Sequence, residues 1–162
     1  YQLLVEHHLP PLSNYVMRMM ANATEADDII QETFVRLWTH GHKYNPKLAK
    51  LTTWLHNIAH NLCIDYFRMT DRLVPESADH PEQESSSPEE NYIRQDLAMD
   101  IQAAMMTIPE RQRSAIIMCH YQGLSNRDAA GVLGVSVDAL ESLMARGRRK
   151  LRQNLSTNWQ EL

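Results

Sequence analysis

Apolar residues recur along most of the chain at intervals of three and four positions, which is the spacing of amphipathic helices. The alternation typical of strands is nearly absent, so the pattern predicts an all-α protein. One stretch breaks it: Val74 to Pro88 combines three prolines, four serines and many acidic residues with almost nothing apolar. Such a composition is typical of a flexible linker. We therefore predict two small helical domains, residues 1–72 and 91–162, joined by an acidic linker over residues 73–90.

Helix start and stop signals divide the first domain into segments. Pro10 and Pro11 predict a break in the first helical stretch, which runs to about residue 20. Thr24, followed three residues later by Asp27, predicts a helix that ends at Gly41. Thr52 or Thr53 then caps a long helix to about residue 69.

Similar signals divide the second domain. Pro88 predicts the start of a helix that runs to about residue 106, and Pro109 the start of another that ends near Gly123. Ser125 and Asp128 form a capping box for a further helix. A tight turn over residues 133–136 leads into the last helix.

The last two helices have the pattern of a helix-turn-helix. Ala130, Gly134 and Leu140 stand where such a unit needs a small residue, a turn residue and an apolar anchor. The exposed start of the second helix then carries the side chains that would read base edges: Ser136, Asp138, Ala139, Glu141 and Ser142. The basic residues that would contact phosphates follow them: Arg146, Arg149 and Lys150. The alternative is a helical hairpin with a solvated basic end.

Charge is unevenly distributed along the chain. The net charge of −4 argues against a nucleic-acid binder, but residues 71–100 hold nine acidic and two basic side chains. Residues 101–162 hold eight basic and five acidic side chains, and five of the basic ones lie within residues 146–152. The basic end therefore remains a candidate for binding nucleic acid.

Other classes of protein find little support. The two cysteines lack a CxxC partner, which argues against a disulfide framework and favours a reducing cytoplasm. No signal core or bilayer-length apolar run occurs, so we expect no membrane insertion. His56, His60 and Cys63 share one helix face that could bind zinc, but no fourth ligand is evident, and we expect neither metal nor cofactor. No constellation of catalytic residues is present, so we expect no enzyme.

Two parts of the chain resemble one protein family. The segment "IPERQRSAIIMCHYQGLSNRDAAGVLGVSVDALESLMARGRRKLR" is similar to the carboxy-terminal domain, region 4, of the extracytoplasmic-function sigma factors of bacterial RNA polymerase. The segments "EADDIIQETFVRLW" and "TTWLHNIAHNLCIDYFR" resemble the amino-terminal domain, region 2, of the same family. Both resemblances occur in the order found in the family, on either side of a linker.

The resemblance implies three binding surfaces. A polymerase-binding face would consist of Asp28, Gln31, Glu32, Val35 and Arg36. A face that recognises and melts the minus-ten promoter element would consist of Lys43, Lys50, His56, Asn57, His60, Asn61 and Arg68. His56 and His60 depart from the family, where an aromatic residue and an arginine are more usual. The helix-turn-helix would recognise the minus-thirty-five element, and Glu141 there could accept a hydrogen bond from a cytosine amino group.

The resemblance further implies an alternative sigma factor that directs promoter-specific initiation, in a stress or envelope response. Its partners would be promoter DNA, an anti-sigma factor, and core RNA polymerase through its largest-subunit coiled coil and second-largest-subunit flap. The competing interpretation is a stand-alone helix-turn-helix regulator that binds palindromic DNA as a dimer, without polymerase. That interpretation leaves the first domain unexplained.

Overall fold

The computed structural model describes the backbone of residues 1–73 and 90–160, and the side chains of residues 1–72 and 95–156. Within these ranges the regular elements are all helical. Most of the predicted linker, together with Pro88, lies outside the described residues. None of the described helices is long and apolar enough to cross a membrane.

The first domain consists of three long helices around a shared core. They are α1 (Gln2–Met19), α2 (Ala23–His40) and α3 (Leu51–Leu73), and a 3₁₀ turn, Gly41–Lys43, follows α2. Each helix buries one stripe against the other two. The stripe that α2 buries includes Ala26, Ile30, Phe34 and Leu37, which recur at intervals of three and four residues.

Three local predictions for the first domain are wrong. α3 begins at Leu51, so Thr52 and Thr53 lie inside the helix, and the first helical hydrogen bond runs from the Trp54 N–H to the Lys50 carbonyl. α1 continues without a break through Pro10 and Pro11. The carbonyls left without partners belong to Glu6 and His7, which are exposed to water, while the burial of Tyr15 and its neighbours stabilises the helix beyond the prolines. The cap of α2 is Asn22 rather than Thr24, because the Asn22 Oδ1 accepts from the backbone N–H groups of residues 24 and 25, at 2.9 and 3.3 Å.

The second domain consists of four helices. They are α4 (Glu90–Met106), α5 (Glu110–Ile116), α6 (Asn126–Leu133) and α7 (Val137–Gln160), with a π-helical turn, Ile117–Tyr121, after α5. Pro109 is the residue immediately before α5, at its N-cap position. Gly123, at a φ of 66°, follows the π-helical turn. The Ser125 hydroxyl accepts from the Asp128 N–H at 3.1 Å, which is half of the predicted capping box.

The two domains pack against each other. α1 contacts α4, α5 and the π-helical turn, and α3 contacts α6. The buried apolar residues of both domains belong to one continuous cluster. This contact places parts of the predicted binding surfaces in the boundary between the domains.

Candidate nucleic-acid interface

The helix-turn-helix is formed by α6 and α7. Gly134 ends α6 with a φ of 64°, a conformation that suits glycine because other side chains are strained there. Ala130, Leu140 and Met144 are buried where the two helices cross, as the spacing predicted. The Ser136 Oγ accepts from the Ala139 N–H at 3.1 Å and so caps α7.

The reading helix presents its predicted residues to solvent. Ser136, Asp138, Glu141 and Ser142 are exposed, and Ala139 is half-buried. The basic side chains one to three turns further along, Arg146, Arg149 and Lys150, are also exposed. The sequence did not single out Asn126 at the start of α6, whose Nδ2 donates to Glu141 Oε1 at 3.4 Å. Its only signal is its place next to the predicted cap.

α7 packs closely against α5 because residue 147 is a glycine. A Cβ atom at this position would lie 2.7 Å from Ile116 Cδ1 and 3.3 Å from Gln112 Cβ. Close packing is therefore the reason for a glycine inside this helix. The reading helix therefore rests directly on the helix behind it.

The predicted polymerase-binding residues lie on the exposed face of α2. Asp28, Gln31 and Val35 are exposed, while Glu32 and Arg36 are partly buried. Arg36 Nε donates to Glu32 Oε1 at 2.9 Å, one turn away on the same helix. The sequence did not identify Trp38, whose side chain is 69% exposed three residues after Val35. The signal in the sequence is a tryptophan three residues after Val35, which places both side chains on the same face of the helix.

The predicted minus-ten residues fall into two groups. Lys43, Lys50, Asn57, Asn61 and Arg68 are exposed, and Asn61 Nδ2 donates to Asn57 Oδ1 at 3.3 Å. His56 and His60 are buried, at 1% and 5% exposure, in the boundary with the second domain. They can reach DNA only if the domains separate.

The buried histidines are held neutral by their surroundings. Burial lowers the pKa of His56, an effect that the Thr52 carbonyl and Gln122 of the second domain partly offset. Burial, together with the positive charge of Arg111, lowers the pKa of His60 to about 4. Burial also raises the pKa of the Cys63 thiol to about 12, which disfavours the thiolate that zinc requires.

One aromatic residue lies shortly before α3 and another lies in its first turn. Tyr44, a candidate for stacking on an unpaired base, is half-buried with its ring centroid 5.6 Å from that of Trp54, and its hydroxyl donates to the Ala49 carbonyl. Trp54 is partly buried and packs against the core.

Comparison with known families assigns both domains. Residues 4–73 match sigma-70 region 2, and residues 98–151 match sigma-70 region 4. One match falls in the amino-terminal half of the chain and the other in the carboxy-terminal half.

Several relatives are sigma factors over nearly the whole chain. The ECF RNA polymerase sigma factor SigE of Mycolicibacterium smegmatis is 33% identical over 98% of this chain and 62% of its own length. EcfG of Rhodopseudomonas palustris is 30% identical over 88% of this chain and 78% of its own length. SigL of Mycobacterium tuberculosis is 30% identical over 94% and 86%. The chain thus spans less than two thirds of SigE but most of the other two.

Two solved structures share the fold. The sigma factor RpoE in complex with the anti-sigma factor NepR, from Bartonella quintana, has a TM-score of 0.76 at 23% identity, with 96% of each chain covered. CnrH in complex with the cytosolic domain of CnrY has a TM-score of 0.73 at 26% identity, over 96% of this chain and 87% of that chain. Sigma factors are transcription initiation factors and not enzymes. From the matches to both regions and the relatives that span both domains, it follows that the chain belongs to the extracytoplasmic-function sigma factors of the sigma-70 family.

Proposed function

We propose that this chain directs core RNA polymerase to a specific set of promoters. The observation that carries the proposal is the presence of two distinct exposed surfaces on one chain. One is the polar face of α2, and the other is the capped reading helix α7 with its basic side chains. A stand-alone DNA-binding protein needs only the second surface.

The face of α2 is suited to docking on another protein. Charged and amide groups surround Val35, which is 51% exposed, and the exposed Trp38 follows it. A central apolar contact with a polar rim is typical of protein interfaces. We assign this face to the coiled coil of the largest polymerase subunit, with Trp38 as an additional contact. The second domain would contact the flap of the second-largest subunit.

The face of α3 is suited to capturing a separated DNA strand. Lys43, Lys50 and Arg68 provide positive charge for the backbone, and the neighbouring amides of Asn57 and Asn61 offer donors and acceptors to a base edge. Recognition here would stabilise open DNA by binding energy alone, since the chain itself performs no covalent chemistry and needs no cofactor.

The reading helix would occupy the major groove of the minus-thirty-five element. Its first turn carries the predicted base contacts, and Arg146, Arg149 and Lys150 would lie along the phosphates. We expect an anti-sigma factor to bind the chain when it is idle, because relatives of this fold are known in such a complex. We expect the protein to act in the cytoplasm, in a stress or envelope response.

A purified transcription system tests this function. The full chain is added to bacterial core polymerase, and retention of core is measured alongside that of a known relative. RNA sequencing after overexpression then supplies candidate promoters for a transcription assay with the same components. Promoter-specific RNA that depends on the chain supports the proposal. Failure to retain core while the relative succeeds contradicts it, and a dimer that binds DNA without polymerase would favour the stand-alone regulator.

A further inference from the structure

Three polar side chains meet in the buried boundary between the domains. The Tyr15 hydroxyl of α1 lies 2.8 Å from the Ser114 Oγ of α5, and that Oγ lies 2.9 Å from the Nδ1 of His60 on α3. Tyr15 also lies 3.1 Å from His60 Nδ1. A chain in which Tyr15 donates to Ser114, and Ser114 donates to the neutral imidazole, satisfies both hydroxyls.

Further polar contacts join the domains around this group. The Arg18 guanidinium of α1 lies 3.8 Å from the centre of the Tyr121 ring, and that of Arg113 lies 5.1 Å from the centre of the Phe67 ring. Gln102 Nε2 donates to carbonyls at the end of α1, with its shortest contact of 3.2 Å to Arg18. The boundary therefore has directional contacts at several points, which fix one relative position of the domains.

The side of α3 that meets the second domain is one helical stripe. His56, His60, Cys63 and Phe67 follow one another at intervals of four, three and four residues, so they lie on the same face of the helix. Ser114 contacts His60, and Arg113 contacts Phe67. Cys63, between them, has no exposed surface. Separation of the domains would expose this stripe, including two of the predicted minus-ten residues.

We propose that the contact of Tyr15, His60 and Ser114 is an intramolecular latch, which holds the free chain closed and withholds the α3 stripe from DNA. The face of α2 lies outside this boundary, because the described elements on which α2 mainly packs are α1, α3 and the turn that follows it. The closed chain would therefore bind polymerase first, and promoter opening would require the latch to break. The link to promoter opening rests on the function proposed above, whereas the latch itself does not.

Cys63 offers a native probe of the latch. Its thiol is inaccessible in the closed chain and would react with a thiol reagent when the domains separate. The labelling rate, read at Cys63 by mass spectrometry to distinguish it from the half-buried Cys119, then reports the open population.

Ser114→Ala removes the shared hydroxyl and substitutes none of the residues predicted to contact DNA or polymerase. We expect Cys63 labelling to rise about tenfold, because two buried hydrogen bonds are lost. Tyr15→Phe removes the hydroxyl on the other domain and should give a similar rise. In the double variant the labelling rate should rise by a smaller factor than the product of the two single rises. Ser156→Ala, an exposed serine near the end of α7, is the matched control and should label like the parent.

The latch variants must be shown to open rather than unfold. Circular dichroism should show undiminished helix content, and small-angle scattering should show a larger radius of gyration if the open form becomes abundant. Unaltered labelling in both Ser114→Ala and Tyr15→Phe would overturn the latch. So would faster labelling that is accompanied by loss of helix in both variants.

A second readout tests the effect on DNA. With core polymerase and a promoter that the parent chain recognises, Ser114→Ala should form open complexes faster at limiting protein. Faster Cys63 labelling without faster opening would overturn the inhibitory role. If the parent chain fails to bind core at all, the proposed function is contradicted, while the labelling result still decides whether the latch exists.

Discussion

Helices α2 and α3 each carry a predicted binding face, and the two faces differ in how the rest of the chain treats them. On the face of α2, Asp28, Gln31 and Val35 are exposed, and no residue of the face is fully buried. The face of α3 is divided: Asn57 and Asn61 are exposed, whereas His56 and His60 are covered by the second domain. One conformation can thus expose the predicted polymerase-binding face while it covers part of the predicted DNA-binding face.

The cause of the difference lies in residue chemistry. A charged residue at position 60, such as the arginine more usual in the family, would incur a large desolvation cost if buried beside Arg111. Histidine can be buried as a neutral group with its Nδ1 accepting from Ser114. A neutral side chain at position 60 thus suits the packing of α3 against the second domain.

Acidification is expected to have the largest effect, because it acts on His60, which belongs to the covered face. The pKa of His60 is about 4 in the closed chain, against about 6.5 for an exposed imidazole. Between these values the open form binds a proton that the closed form does not. The closed contact is therefore fully stable above about pH 6.5 and weakens as the pH falls towards 4, by about 3 kcal/mol in all. At pH 5.5 the open fraction should rise about tenfold.

The measurement is Cys63 labelling with a disulfide reagent that reacts in acid, normalised to a cysteine peptide at each pH. The groups that act on His60 are Tyr15 on α1, and Arg111 and Ser114 on α5. His56 has a lowered pKa as well, so His60→Gln should reduce the pH dependence without abolishing it. A normalised rate that stays constant from pH 7 to pH 5 would show that burial of His60 does not couple to closure.

Val35→Glu is expected to damage the exposed face and leave the covered one intact. Placing a carboxylate at the apolar centre of a docking surface should weaken core binding by about 2 kcal/mol, or about 30-fold. Unfolding free energy should change by less than about 0.5 kcal/mol, because the side chain lies outside the core. Retention of core polymerase and urea unfolding measure the two effects.

Ala23→Glu provides the matched control, since it places the same charge at the exposed start of α2, about three turns from Val35. It should bind core like the parent. Cys63 labelling should be the same in both variants. Should Val35→Glu bind core normally, the assignment of the α2 face to polymerase is wrong; should it accelerate Cys63 labelling, the two faces are not independent.

Most of the fold could be predicted from the sequence because periodicity decides which side of a helix is buried within its own domain. The stripe of Phe34 and Leu37 and the seam of Leu140 and Met144 are such local patterns. The helix starts were less accurate, since Asn22 and Thr24 are both good caps and only the three-dimensional context selects between them. The continuous α1 shows tertiary packing overriding the effect of Pro10 and Pro11.

The candidate site could be predicted in part for the same reason. The exposure of Arg149 and its neighbours follows from the inward direction of Leu140 and Met144. The burial of His60 does not follow from any local pattern, because its partners Tyr15 and Ser114 lie 45 and 54 residues away along the chain. Contacts of this kind depend on how two finished surfaces fit together. At the reading helix, exposure follows directly from the local pattern, so the loss of a single phosphate contact can be tested there.

Arg149→Ala is expected to have the smallest effect and to fall on the second exposed surface. Loss of one phosphate contact should weaken binding of the full chain to promoter duplex by about 1 kcal/mol, with no change in base preference, and should reduce the salt dependence by about one counterion. Arg72→Ala, an exposed arginine at the end of α3, is the matched control and should leave duplex binding unaltered. Affinities measured over a salt series, on the parent duplex and on single-base variants, distinguish a phosphate contact of Arg149 from a base contact. An altered base preference with an unaltered salt slope would mean that Arg149 contacts a base rather than a phosphate, which would contradict the docking of α7 proposed above.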